Sequence, residues 1–236
     1  MKLLLFCFHK TALYIAAEKE NTEIFNILLE NKKIIIDDCA FCGCSSLKSI
    51  TIPPSATVIG TKTFCGCSSL RSLSIPSTIS CIGDYAFCFC TSLMYITIPS
   101  SVKYIRSGAF RECSSLKQII IPSSVISIGS FAFRKCTSLS KITIPSSVKK
   151  IEDFTFEGCL SLKQIQFPSS IISIGCGAFS GCSSITQITI PSSVYLIENS
   201  VFEGCSSLFQ ISIPNSLKTI GSHAIPPNTK IIRRKF

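Results

Sequence analysis

Fifteen cysteines give this 236-residue chain its clearest capacity for chemistry. A disulfide framework, a metal site or a column of buried thiols could each explain why eight of them recur at a constant interval. The eight are Cys44, Cys67, Cys90, Cys113, Cys136, Cys159, Cys182 and Cys205, always 23 residues apart. The constant period favours the column of buried thiols, because periodicity is the signature of packing.

Three further cysteines, Cys42, Cys65 and Cys88, form Cys-x-Cys pairs with the first members of that series. Zinc sites usually have about two to four residues between cysteines, and His9 and His223 are the only imidazoles. Arg, Glu or Ser occupies the same column in later repeats, which predicts that the column faces solvent. We expect these three thiols to be free, which favours a reducing compartment, with a weak metal or redox site as the alternative.

A serine column raises the question of nucleophilic catalysis. It comprises Ser46, Ser69, Ser92, Ser115, Ser138, Ser161, Ser184 and Ser207. A nucleophilic serine needs a nearby base and an oxyanion site, which two non-repeating histidines cannot supply to eight serines. We therefore interpret the hydroxyls as turn groups that bond local backbone. The sequence has no Gly-rich phosphate loop, and we predict no enzymatic activity, no cofactor and no metal.

A 23-residue repeat must position all of these residues. Its most regular column is Phe41, Phe64, Phe87, Phe110, Phe133, Phe156, Phe179 and Phe202, and columns of leucine, isoleucine and proline keep the same step. A unit of this length cannot bury its own apolar face, so neighbouring units must stack their apolar columns into one core. Eight coils at the spacing of parallel strands, about 4.8 Å, would extend for about 40 Å.

Each unit also has a readable local pattern. Residues 116–121 follow the pattern Leu-x-x-Ile-x-Ile, which alternates at its end and stops at a proline, and this predicts a short β-strand. Residues 125–128 predict a second extended segment, and residues 129–133, Gly-Ser-Phe-Ala-Phe, predict a turn followed by about one helical turn. Arg or Glu replaces this glycine in three repeats, so the position cannot strictly require a positive φ.

These columns closely resemble the BspA-type leucine-rich repeat family. Residues 126–148 carry its signature, Ile-Gly-x-x-Ala-Phe-x-x-Cys-x-Ser-Leu-x-x-Ile-x-Ile-Pro-x-Ser-Val, nearly letter for letter. The resemblance spans residues 33–225. It implies a right-handed, arc-shaped solenoid of short parallel β-strands that is used for adhesion or protein binding, often at cell surfaces. It brings no catalytic activity with it.

The two ends of the chain follow other patterns. Residues 10–18, Lys-Thr-Ala-Leu-Tyr-Ile-Ala-Ala-Glu, and residues 21–29 are similar to a single ankyrin repeat. The resemblance implies an N-terminal helical pair, either a cap on the solenoid or the remnant of a longer array. We thus divide the chain into an ankyrin-like segment (1–32), a solenoid (33–225) and a basic C-terminal tail (226–236).

Composition limits the location of the chain and its class. A hydrophobic fraction of 46% with 15% charged residues supplies a packed core and argues against disorder. No apolar run approaches the roughly 20 residues of a membrane span. The apolar start, residues 3–8, is short for a signal peptide and lacks a small-residue cleavage site. These features favour a cytoplasmic location, whereas the family resemblance implies a cell surface.

Charge and the outward side chains give the functional expectation. Residues 39–221 carry fourteen basic and seven acidic residues, and residues 222–236 carry four basic residues and no acidic one. Outward residues of the predicted strands would line the concave side, where Met94, Tyr95, Ile120 and Phe209 are candidate anchors. The candidate binding residues are Arg71, Met94, Tyr95, Lys117, Gln118, Ile120, Lys141, Lys163, Gln164, Gln187 and Phe209.

The sequence accordingly predicts a scaffold that binds an unidentified protein ligand through this side. The alternative is binding of nucleic acid or an anionic surface through the basic solenoid and tail. Nucleic acid is disfavoured because most aromatic residues belong to the phenylalanine column, which leaves few stacking platforms. For any single outward residue, the competing interpretation is ladder stabilisation, in which stacked Thr and Gln side chains pair across strands.

Overall fold

The computed structural model describes residues 38–235, which form a stack of coils built from short parallel strands. The ankyrin-like helical pair predicted for residues 1–32 lies outside the described residues. The two-residue strands are β1 (Val58–Ile59), β3 (Cys81–Ile82), β5 (Tyr104–Ile105), β7 (Ser127–Ile128), β9 (Lys150–Ile151), β11 (Ser173–Ile174), β13 (Leu196–Ile197) and β15 (Thr219–Ile220).

The longer strands alternate with these along the chain. Their bounds are β2 (Ser72–Ser74), β4 (Tyr95–Thr97), β6 (Gln118–Ile120), β8 (Lys141–Thr143), β10 (Gln164–Gln166), β12 (Gln187–Thr189), β14 (Gln210–Pro214) and β16 (Lys230–Arg234). Short strands pair only with short ones, in the orders β1-β3-β5-β7 and β9-β11-β13-β15, and long strands only with long ones, in the orders β2-β4, β6-β8-β10 and β12-β14-β16. Each coil therefore contributes one strand to each side of the solenoid.

The register of the strands confirms the predicted stacking of columns. All the pairs are parallel, and Ile119 lies opposite Ile142, which lies opposite Ile165. This offset of one repeat brings each apolar column into a continuous line inside the stack. The buried residues form one hydrophobic cluster that runs from Phe41 to Ala224. Parallel coils of constant length thus share a single core, as expected of a repeat solenoid.

Stacked phenylalanine rings form the centre of that core. All eight members of the phenylalanine column are fully buried. Their ring centroids lie 5.1 Å apart between Phe41 and Phe64, and 5.6 Å apart between Phe133 and Phe156. The planes of those two ring pairs differ by 2° and 3°. The separation falls within the range in which aromatic pairs add stability beyond burial alone.

The prediction of a helical turn at each corner of the coil is wrong. No helix occurs within residues 38–235, and successive tight turns take its place. The backbone N–H groups alternate between two kinds of acceptor. Those of Ala132, Arg134 and Cys136 donate to carbonyls three residues earlier in the same coil. Those of Phe131, Phe133 and Lys135 donate to carbonyls of the next coil, at Asp153, Thr155 and Glu157. A helix would direct every amide along its own axis. Here every second amide joins adjacent coils, so the corner continues the ladder between strands.

Two backbone constraints accompany this alternation. Phe131 has a φ of 61°, in a region that bulky side chains rarely adopt, and the residues one repeat away share the conformation. Gly129 is not among the positive-φ residues, which confirms that its column does not require one. A Cβ at Gly129 would instead lie 2.6 Å from the backbone nitrogen of Ser107. The glycine therefore permits close approach of neighbouring coils.

The C-terminal basic segment belongs to the solenoid. Strand β16 pairs in parallel with β14, with Lys230 opposite Gln210 and Ile232 opposite Ser212. The boundary predicted at residue 225 precedes this strand, because the phenylalanine column ends before it and the offset between paired residues falls here from 23 to 20. Within residues 38–235, no helix has the length and apolarity needed to cross a membrane.

Candidate functional site: the wide face of the solenoid

The longer strands present a polar outer surface that we call the wide face. It consists of the outward residues of β2, β4, β6, β8, β10, β12, β14 and β16, together with the residue before each strand from β2 to β14. Strand β6 shows the pattern, with Gln118 and Ile120 exposed and Ile119 buried. Strands β2, β4, β8, β10 and β12 repeat it. Alternation of side chains along a strand explains why one side of each strand packs and the other faces outward.

The structure places all eleven predicted binding residues on the wide face. Ten of them are exposed: Arg71, Tyr95, Lys117, Gln118, Ile120, Lys141, Lys163, Gln164, Gln187 and Phe209. Met94 is half-buried. Strand pairing brings Gln118, Lys141 and Gln164 side by side in three successive coils. Their shared location on one surface follows directly from the strand register.

Three apolar side chains on this face are strongly exposed. Ile120 is 79% exposed, and Tyr95 and Phe209 are each 53% exposed. Tyr95 and Ile120 lie on the neighbouring strands β4 and β6, whereas Phe209 lies four coils beyond Ile120. In the adjacent coil, Thr143 lies opposite Ile120. The core therefore does not require an isoleucine at that position.

Three members of the wide face were missed in the sequence. They are Lys230, Ile232 and Arg234, which extend the face at the C-terminal end because β16 continues the row of long strands. The changed offset hid them from a search at the 23-residue period. The available signal was the pair Ile231-Ile232 after two prolines, which indicates a further strand.

A second exposed surface, the narrow face, lies along the two-residue strands. It carries Tyr104, Ile126, Ile172 and Tyr195, all exposed. Its charges are mixed, since the Nζ of Lys150 lies 3.9 Å from a carboxylate oxygen of Glu152. The narrow face thus provides a comparison of similar residue types in a different electrostatic setting.

The recurring cysteines form the predicted column of buried thiols. The thiol of Cys136 donates to the carbonyl oxygen of Phe110 in the preceding coil, with sulfur and oxygen 3.1 Å apart, and Cys159 bonds Phe133 in the same way. Burial raises the pKa of the Cys136 thiol well above its ordinary value. A protonated, hydrogen-bonded thiol is a packing group and not a nucleophile.

Cys42, Cys65 and Cys88 are free, as predicted, but the expectation that their column faces solvent is wrong. Cys42 is 9% exposed and Cys88 1% exposed, while Cys65 is half-buried. Stacking covers each side chain with its neighbours in adjacent coils. Even the longer Arg134 of this column keeps only 25% of its side chain exposed. Because these thiols are largely buried, they give no reason to expect a reducing compartment.

Electrostatics gives the thiols of Cys42 and Cys65 little capacity for redox or metal chemistry. A hydrogen bond with Cys65, reinforced by burial, raises the pKa of Cys42 well above its ordinary value. The bond with Cys42 lowers the pKa of Cys65, but the bond with Cys88 and burial outweigh it and raise that pKa to about 11. Thiolates are the forms that attack substrates and ligate metals. Within residues 38–235, no group of three or more Cys, His, Asp or Glu residues is arranged to hold a metal ion.

Serine hydroxyls do bond the backbone, but not from the predicted column. The hydroxyls of Ser124 and Ser147, in the Pro-Ser-Ser turns, donate to the carbonyls of Val102 and Val125 in the preceding coil. In the predicted column, Ser138 contributes its backbone N–H, which bonds the carbonyl of Ser114. Among the described residues, no hydroxyl of that column makes a hydrogen bond to backbone. The column is a turn element, consistent with a structural role.

The fold defines the class of protein: a leucine-rich repeat solenoid, with in-register parallel strands around one core. The sequence profile described as the BspA type Leucine rich repeat region, in 6 copies, matches residues 19–139 and 126–233. The chain therefore belongs to the BspA-type leucine-rich repeat family. No curated protein matches its sequence.

Several solved structures are similar to this chain. A leucine rich repeat protein of T. pallidum is 34% identical with a TM-score of 0.60, over 64% of this chain and 71% of its own. The pneumococcal vaccine antigen PcpA is 22% identical with a TM-score of 0.55, over 83% of this chain and 59% of its own. At that identity, PcpA supports the fold alone. A leucine rich cell surface protein of Faecalibacterium prausnitzii is 26% identical with a TM-score of 0.44, over 84% of this chain and 76% of its own.

Proposed function

We propose that the chain is a non-enzymatic protein-binding scaffold and that the wide face is its binding surface. The observation that carries the proposal is the exposure of Ile120, Tyr95 and Phe209 among polar neighbours. Exposed aromatic and aliphatic side chains are the usual anchors of protein interfaces. Since Ile120 is 79% exposed, it contributes little to the core and has most of its apolar surface available to a partner.

The shape of the wide face supports the same role. Strand β8 pairs in register with both of its neighbours, β6 and β10, so the centre of the wide face is a rigid platform. A rigid platform loses little conformational entropy when a partner binds. Polar residues such as Gln118 and Gln164 surround the anchors, as in the polar rim of a typical interface.

Selection from a displayed random peptide library on the immobilised full chain tests the proposal. Peptides that bind are then measured against I120S and Y95A, with Y195A on the narrow face as the matched control for the tyrosine. We expect each wide-face variant to weaken binding by about tenfold and Y195A to leave it unchanged, since one buried anchor contributes about 1–2 kcal/mol. A library without specific binders, or binders sensitive only to Y195A, contradicts the proposal.

A further inference from the structure

We infer that the partner of the wide face is an acidic polypeptide segment that carries apolar side chains between its carboxylates. The inference rests on the proposed function and specifies the chemistry of the partner. It follows from the separation of charge between the wide face and the turns, combined with the apolar residues among the cations.

Every charged residue on the wide face is basic. The set comprises Arg71, Lys117, Lys141, Lys163, Lys230 and Arg234. No acidic residue occupies an outward position of these strands within residues 38–235. The cations recur along the solenoid axis, so they form a row across coils and not a cluster at one end.

The acidic residues lie elsewhere, and six of the eight form hydrogen bonds or ion pairs there. Within residues 38–235 they all fall between four residues before and two residues after the phenylalanine column: Asp38, Asp84, Glu112, Glu152, Asp153, Glu157, Glu198 and Glu203. Glu157 lies 2.6 Å from the guanidinium of Arg134. Asp153 accepts the backbone N–H of Cys176 at 2.9 Å. These carboxylates therefore serve the turns.

Four lysines of the wide face form no ion pair of this kind within residues 38–235: Lys117, Lys141, Lys163 and Lys230. The first three lie in successive coils whose strands pair in register, about 4.8 Å apart. Three like charges then lie within roughly one Debye length of their neighbours at physiological salt. Their mutual repulsion is relieved when an anionic partner binds.

Apolar neighbours distinguish an acidic polypeptide from other polyanions. Ile120 lies on β6, three residues after Lys117, and Tyr95 lies on the adjacent β4. Sulfated polysaccharides and the nucleic-acid backbone supply anions but no aliphatic or aromatic side chain that would bury Ile120. A polypeptide supplies both, with carboxylates for the lysines and apolar side chains for the anchors.

Two synthetic polymers probe this inference on the full chain: poly-glutamate and a random copolymer of glutamate and tyrosine. The test variant is K117Q/K141Q/K163Q on the wide face. Its matched control is K103Q/K149Q/K218Q, which removes the same charge from exposed lysines on the other side of the solenoid. We expect the test variant to weaken binding of either polymer by about tenfold and the control by less than about twofold, since charge pairing is local.

The apolar part of the inference has its own readout. We expect the copolymer to bind more tightly than poly-glutamate, and I120S to reduce that preference while leaving poly-glutamate binding unchanged. Equal losses in the two triple variants, or no binding of either polymer, overturn the acidic partner. If heparin or a single-stranded oligonucleotide binds more tightly than the copolymer and ignores I120S, the polypeptide assignment is overturned. If library peptides without net charge bind the full chain but do not bind I120S, this inference is refuted and the proposed function stands.

Discussion

The phenylalanine column gives the sharpest test of how the solenoid is stabilised. Phe156 is fully buried, and its ring lies 5.6 Å from that of Phe133 and 5.3 Å from that of Phe179. Replacement by alanine removes this ring from the stack. The neighbouring rings of Phe133 and Phe179 stay in place, because each also stacks on the next ring of the column. The site therefore has little freedom to collapse into the cavity. We expect F156A to lower the free energy of unfolding by about 3–5 kcal/mol, near the upper end of that range.

Denaturant titration measures this loss by linear extrapolation. F209A is the matched control, because Phe209 is 53% exposed and the same substitution there should cost about 0.5 kcal/mol or less. Since coils contact only their neighbours, a central cavity can also divide one transition into two. Equal midpoints for F156A and F209A, with a single transition in both, would refute the role of the stacked rings.

Three further predictions concern the coil corners and the thiols. G129A should destabilise the chain by about 1–3 kcal/mol in a thermal melt, because its Cβ would meet the backbone of Ser107, and an unchanged melt would contradict this close approach. D153A should lower the free energy of unfolding in denaturant titration by about 1 kcal/mol, because it removes the acceptor of the Cys176 N–H. D153N keeps an acceptor oxygen and should lower the free energy of unfolding by less. Equal losses in the two variants would disprove this role. The pKa of the Cys65 thiol is raised to about 11, so this thiol keeps its proton in the folded chain at a pH where the unfolded chain loses it. The free energy of unfolding should therefore fall as pH rises above about 8.5. A constant free energy of unfolding from pH 7 to 10 would argue against this linkage.

The layers of the solenoid could be predicted because one period controls them. The columns that contain Phe133 and Cys136 recur in every repeat, so the burial of these residues follows from repetition alone. The exposure of Gln118 and Ile120 likewise follows from alternation along a strand. These parts of the fold depend on column identity and not on the detailed path of the backbone.

The corners and the last strand could not be predicted in the same way. Phe131 directs its N–H to Asp153 in the next coil, and a pattern within one unit cannot reveal a partner 22 residues away. Burial of Cys88 was hidden by the charged residues later in its column, although a long side chain such as Arg134 also stays largely covered. Strand β16 follows β14 at an offset of 20 residues and not 23, so the 23-residue period could not predict it.

The proposed function depends on contact between the wide face and its partner. Methyl NMR of isoleucine-labelled protein, titrated with the glutamate–tyrosine copolymer or a library peptide, detects this contact. Ile120 on the wide face and Ile126 and Ile172 on the narrow face are all exposed and serve as reporters. We expect the methyl resonance of Ile120 to shift on binding and those of Ile126 and Ile172 to stay in place. Shifts of the Ile126 and Ile172 resonances with an unchanged Ile120 resonance would show that the partner binds elsewhere.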